Sequence, residues 1–320
     1  MSTPKQNAAI LGAVGVLIAA LTAAGISSAA PAPAPSATVT DTSTPTVSTS
    51  PTDTVTPSPS PTVTTVPPRV FPDASTTGWQ HTGVTLTPSG PITVTVAGTV
   101  LDSLDITGGV VVKANNVTIS RSRITGGAYW TVRVYGGFTG TTISDTQLVG
   151  VNTAGGALPR CDGATSGNGL TILRVDVSNC ADLLDYGAGT TVTDSYLHDP
   201  FHSATTHNDG IQISSGSNYT IRHNTILMGH IENSATFIKA DFGNINNVTI
   251  DNNYLDGGSY TVFGGDVAAT ATAPAKLVTN VFITNNVFGN SALYGKIYTT
   301  RMTGPVTITG NVDVNGVPVP

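Results

Sequence analysis

Ile221-Arg-His-Asn224-Thr-Ile226, Ile250-Asp-Asn-Asn253-Tyr-Leu255 and Ile283-Thr-Asn-Asn286-Val-Phe288 repeat one six-residue pattern. An apolar residue is followed by two variable positions, an asparagine, one more residue and a second apolar residue. Upstream the pattern recurs as Ile119-Ser-Arg-Ser122-Arg-Ile124, Ile143-Ser-Asp-Thr146-Gln-Leu148, Ile172-Leu-Arg-Val175-Asp-Val177 and Val192-Thr-Asp-Ser195-Tyr-Leu197. A small polar residue, or Val175, there stands at the asparagine position. The last copy, Ile308-Thr-Gly-Asn311-Val-Asp313, ends on an aspartate where an apolar residue is expected, which reads as fraying in a terminal coil.

Each copy is too short for a helix, and its β-branched, alternating flanks suit strands. Copies recur every 20 to 33 residues, the spacing of a solenoid with one strand–turn–strand unit per coil. Coils stacked ~4.8 Å apart would bring Asn224, Asn253, Asn286 and Asn311 into one inward column. There their amides can bond to one another and satisfy buried polar groups. The Ile-x-x-Asn-x-apolar ladder over about residues 95–320 resembles the pectin lyase-like superfamily. That resemblance implies an all-β fold, a single-stranded right-handed parallel β-helix. Members include polysaccharide lyases, glycoside hydrolases, uronan epimerases, tailspikes and adhesins, so the fold leaves the activity open.

Outward from the repeat, the chain divides into three. Residues 1–30 carry Lys5, the apolar stretch Ala8–Ala24 and small residues at Ser28-Ala29-Ala30, and read as a signal peptide or membrane anchor. Residues 31–68 are almost entirely Pro, Thr, Ser, Ala and Val, and are expected to be a disordered stalk. Residues 69–320 form the β-helix, with Trp79 expected in a cap over the first coil. This layout places the domain outside the cell or at its surface, touching a membrane only through the N-terminal segment if that is uncleaved. Solenoids of this kind occur as monomers or homotrimers. Asn116, Asn218 and Asn247 head Asn-x-Thr sequons at one repeat offset and read as strand-opening residues, not as glycosylation sites.

A net charge of −6 with 10% charged residues and no basic cluster excludes a nucleic-acid partner and leaves a polysaccharide as the expected one. The two cysteines, Cys161 and Cys180, are expected to form a disulfide in an exported protein.

The densest titratable segment is Tyr196-Leu-His198-Asp-Pro-Phe-His202, leading into His207-Asn-Asp209-Gly-Ile-Gln212-Ile. It interrupts the coils with a loop of about ten residues, and long loops on rigid scaffolds commonly carry function. Asn208-Asp-Gly-Ile211 faintly resembles a segment of polygalacturonase-like hydrolases. That family's Asp-Asp, Gly-His-Gly and Arg-Ile-Lys are absent, as is the Arg-x-Pro-x-x-Arg of pectate lyases. Strand alternation puts Asp185, Gln212 and Lys239 outside as one rung, with Asp241 beside it. His207 and Asp209 enter from the preceding turn. Strict alternation turns Asp209 inward with Ile211 unless Gly210 breaks the parity.

Two chemistries fit such a rung. In β-elimination, Lys239 or His207 is the base, with Arg222 and the carboxylates, aided by Ca²⁺, clamping a uronate. In hydrolysis, Asp209 works with Asp185 or Asp241. Gln212, Asp241, Arg222, His198 and His202 are the expected substrate contacts, and Tyr129, Trp130 and Tyr135 could stack on sugars or cover a coil edge. No cofactor is required beyond that candidate Ca²⁺. The expected function is a secreted lyase or glycoside hydrolase acting on an acidic polysaccharide. The alternative is a non-catalytic glycan-binding or envelope-surface module.

Overall fold

The computed structural model describes residues 69–126, 129–152, 160–185, 187–204, 206–229 and 233–320. The expected signal or anchor segment and the stalk lie outside them. Among the described residues, twenty-eight strands and one short 3-10 turn, Gln80–Thr82, are assigned. Among these residues the ladders between named strands are parallel, and the antiparallel contacts are isolated bridges. The chain is a right-handed parallel β-helix, as the repeat implied.

Three faces enclose the core. Face A is a ten-stranded sheet from Thr87–Ser89 to Val312–Asp313, and face B a nine-stranded sheet from Val100–Asp102 to Val306–Thr309. Face C is broken into four strands ending at Cys161–Ser166 and five beginning at Leu184–Asp185. The six-residue pattern is the corner between faces B and A. Its third position takes the left-handed conformation in each copy, at Arg121, Asp145, Arg174, Asp194, His223, Asn252, Asn285 and Gly310. That kink is why the apolar residues on both sides point inward. Ile119, Ile143, Ile172, Val192, Ile221, Ile250 and Ile283 form one fully buried column, and Ile124, Leu148, Val177, Leu197, Ile226, Leu255 and Phe288 the next. Each such side chain stabilises the fold by about 1.5–3 kcal/mol.

The asparagine column forms as the spacing requires. Asn224, Asn253 and Asn286 each donate Nδ2 to the next Oδ1, at 2.9–3.0 Å, and that oxygen also accepts the preceding backbone N–H. Upstream, hydroxyls carry the column on: Ser195 Oγ accepts the Val175 N–H at 3.1 Å. Asn116, Asn218 and Asn247 take φ near +60°, and Asn247 donates to Asn218 at 2.8 Å. Asn116 precedes the face B strand Thr118–Ser120, whereas Asn218 and Asn247 kink Gly216–Arg222 and Ile245–Asp251 from within.

Two end features differ from expectation. Asp313 does not fray: its strand pairs with Val287–Phe288, and its carboxylate accepts the N–H groups of Asn315 and Val317, closing the last coil with a turn. Trp79 does not cap the first coil. Residues 69–82 run as a strap along the B–A corner, because its backbone offers partners there. Val70 O meets His223 Nε2 at 3.0 Å, the Gly78 N–H donates to Arg174 O, and His81 meets Asp145 at 3.1 Å. Phe71 lies between His223 and Tyr254. Trp79 therefore sits over the middle of the solenoid.

Cys161 and Cys180 form the expected disulfide, with Cα atoms 4.7 Å apart, at the break in face C. Replacing both by serine should lower stability by about 3 kcal/mol through the freed unfolded chain. That corresponds to a Tm roughly 6–10 °C lower for a domain of this size, read by calorimetry. An unchanged Tm would mean the surrounding coils hold this corner without the crosslink.

Candidate functional site

The break in face C positions the site. Between Cys161–Ser166 and Leu184–Asp185 no ladder is assigned among the described residues; the isolated bridge Gly163 to Asp182 and single backbone hydrogen bonds such as Asp182 N–H to Asp162 O join the two sheets. The ladder is interrupted there, and side chains from four coils line a groove. Its first pocket, of about 320 Å³, is walled by Trp130, Arg160, Asp162, Asp182, Asp185, His207 and Gln212. The second, of about 390 Å³, lies further along the same strands, between Arg133, Tyr135, Asn168, Ser214, Ser215 and Phe242. Asp185 and Gln212 line both.

Four of the expected residues gather here. Asp185 and Gln212 are register partners, and both are half-buried. Gly210 does break the strand parity. A Cβ there would sit 2.5 Å from the Ile226 side chain and from Ala235 O, so Gly210 turns to the core while Asp209 is released outward. The Asp209 carboxylate meets His207 Nδ1 at 3.0 Å and accepts from Gln212 Nε2 at 3.5 Å. It is fully buried beneath those two side chains and does not wall the pocket. Asp209 is thus a positioning residue, and His207, about half exposed, is the group the groove meets. Asn208 pins the segment by donating Nδ2 to Ala181 O and Phe201 O.

The other five fall elsewhere. Lys239 does not stand on the rung: Gln212 pairs with Phe237, and Phe237 with Phe263. Lys239 comes two residues later, pairs with Asp241 at 2.8 Å, and lines neither pocket. The place expected for a lysine therefore holds a stack of rings, Phe237, Phe263 and Tyr298, 5.1–5.3 Å apart. Arg222 is on face B, paired with Asp251 at 3.3 Å. His198 stacks on Tyr196 beside face A and meets Asp176 and Asp199. His202 is exposed and lines neither pocket.

Nothing in the periodicity points to Asp162, Asp182 or Arg160. The signal that does is adjacency to the cysteines: Asp162 follows Cys161 and Asp182 follows Cys180 by two, so the disulfide brings both carboxylates to one corner. Arg160 Nε donates to Asp162 Oδ1 at 2.6 Å, and Asp182 Oδ1 accepts the Asp209 N–H at 2.8 Å.

This crowding has electrostatic consequences. Burial pushes the Asp185 carboxyl up to about 6, with nearby Asp162 adding to the rise. The indole N–H of Trp130 faces it and opposes the shift without closing a well-aligned hydrogen bond. Burial also raises Asp182 well above the carboxylate range, and the Asp209 charge raises it further. Asp209 is raised by burial against the pull of His207, and His207 is raised by its hydrogen bond to Asp209. The side-chain donors of Asp182, His207 and Asp209 lie within 4.8 Å of one another, close enough to share a cation.

Rings and cations form the other wall. The Arg133 guanidinium lies 4.6 Å from the Trp130 ring and 4.3 Å from the Tyr135 ring, and Lys113 lies 4.8 Å from Tyr135. Trp130 and Tyr135 thus belong to the groove itself.

No protein-family profile matches the chain, and no curated protein is significantly similar to it. Among solved structures it is similar to the Dettilon tailspike protein, at 13% identity over 73% of this chain and 58% of that one, with a TM-score of 0.38. It is also similar to the catalytic domain of a GH87 alpha-1,3-glucanase in complex with nigerose, at 12% identity over 69% and 56%, with a TM-score of 0.31. The chain spans less than two thirds of either.

Proposed function

We propose that this chain is a secreted polysaccharide-cleaving enzyme of the hydrolase type, acting in the groove across face C. One observation carries the reading: Asp185 and Gln212 line both pockets, so a polymer filling the groove must pass over them. Asp185, pushed up to about 6, retains its proton in mildly acid solution and acts as the general acid on the glycosidic oxygen. Asp162, hydrogen-bonded to Arg160, is the second carboxylate of the pocket and directs water or attacks the sugar. Trp130 and Tyr135 offer faces on which sugar rings stack.

Elimination fits less well. Lys239, one of the two expected bases, and Arg222, the cation expected to clamp a uronate, are bound to Asp241 and Asp251 outside the pockets, and the first pocket is walled by carboxylates.

The test is incubation of the full chain with a panel of neutral and acidic polysaccharides, following reducing ends and unsaturated products together. Hydrolysis predicts reducing ends without unsaturation. The rate should fall as pH rises above about 6, because the proton leaves Asp185. Unsaturated products would overturn the hydrolytic assignment. Tight binding with no product would make the chain a glycan-binding module.

A further inference from the structure

The corner beneath the groove has more negative charge than its own cations balance. Asp162, Asp182, Asp185 and Asp209 converge there against one guanidinium, Arg160, and one imidazole, His207. Even with His207 charged, ionising all four carboxyls would leave two uncompensated negative charges in a site where isolated ions are costly. A second observation is independent of that count. Asp209 is fully buried, and its Oδ1 has no hydrogen-bond partner, although the Ser234 amide faces the carboxylate. Buried carboxylate oxygens are normally satisfied. The carboxylate that carries this Oδ1 meets His207 Nδ1 through its Oδ2 at 3.0 Å, and one ligand atom each of Asp182, His207 and Asp209 lie within 4.8 Å of one another. The backbone holds them in place: the Asp209 N–H ties Asp182, and Asn208 anchors the segment between His207 and Asp209.

We propose that Asp182, His207 and Asp209 bind one divalent transition cation, of the Zn²⁺ or Mn²⁺ class. Two carboxylate oxygens and one imidazole nitrogen are a mixed donor set that suits such ions, whereas Ca²⁺ takes oxygen ligands. His207 then coordinates through Nδ1, and the hydrogen bond it makes to Asp209 is replaced by a shared metal. The two positive charges balance the corner with all four carboxyls ionised, and the buried Asp209 carboxylate gains a charged partner. With His207 on the groove wall, the cation stands at the floor of the first pocket with positions open to solvent or substrate. This site does not depend on the hydrolytic reading, and its test reads binding, not cleavage.

The full chain, stripped with chelator and dialysed, is titrated with Zn²⁺, Mn²⁺ and Ca²⁺ separately, reading stoichiometry by equilibrium dialysis and Tm by calorimetry. The expected result is one Zn²⁺ or Mn²⁺ per chain and a raised Tm. Affinity should fall at least tenfold in His207→Ala and in Asp209→Asn, and be unchanged in His81→Ala. Should Asp209→Asn fail to fold, His207→Ala, altered on the exposed side, still decides. No stoichiometric binding would overturn the site, as would binding of Ca²⁺ alone or affinity indifferent to His207.

Discussion

Asp185→Asn should reduce cleavage on the order of 10²–10⁴-fold and, at neutral pH, make the chain more stable than the wild type. Both effects have one cause. The folded state holds this carboxyl near 6 in place of 3.8, mainly through burial, so it is the ionised form that folding penalises. Below about pH 3.8 the group is protonated in both states and costs nothing. Between 3.8 and about 6 the folded chain keeps a proton the unfolded chain has released, so stability falls as pH rises. Above about 6 the full penalty, roughly 3 kcal/mol, is present. An amide carries no such penalty. The variant should therefore gain Tm at pH 7 and show little difference at pH 4, measured in chelator so that no cation alters the balance. A gap between the two proteins that does not change with pH would show that Asp185 is not strained by burial. Undiminished cleavage by the variant would remove it from the chemistry.

Asn253→Ala should be the most damaging single change in the solenoid. Asn253 is fully buried. Its Oδ1 accepts the Asn224 N–H at 2.9 Å and Asn224 Nδ2 at 3.0 Å, and its Nδ2 donates to Ile221 O and Asn286 Oδ1. Truncation removes four buried hydrogen bonds to groups of the two neighbouring coils, at about 1–3 kcal/mol for each group left unpaired. Even with partial relaxation, a loss of roughly 4–6 kcal/mol follows, or a Tm lower by about 10–20 °C. Asn253→Ser should cost less, because Ser195 shows that a hydroxyl serves this column, accepting the Val175 N–H and donating to Thr193 O. Equal losses for the two variants, read by chemical or thermal unfolding, would mean that the column matters for shape and not for its hydrogen bonds.

The groove shows where sequence pattern stops. Alternation correctly placed Asp185, Gln212 and Lys239 on the outer side of face C. It did not say which of them meet. Parity survives a shift of two residues, and the strand Ser234–Lys239 is shifted by two, so Phe237 occupies the position next to Gln212. For Asp209 parity itself gave way, at a glycine pressed against Ile226 and the next strand. His198 and Arg222 carry suitable chemistry and point to other faces, because a coil has three sides and the loop leading into a strand can leave from any of them.

The amino-acid sequence by itself determined the solenoid, its asparagine column and its disulfide. Those features repeat a local pattern, and each copy constrains its neighbours through apolar burial and backbone pairing that need no distant information. Only the tertiary structure decided the site. The meeting of Asp162, Asp182, Asp185 and His207 depends on the register between coils, on the break in face C and on one glycine's approach to the core. Register is set by packing summed over the whole stack, so no single segment of the chain encodes it.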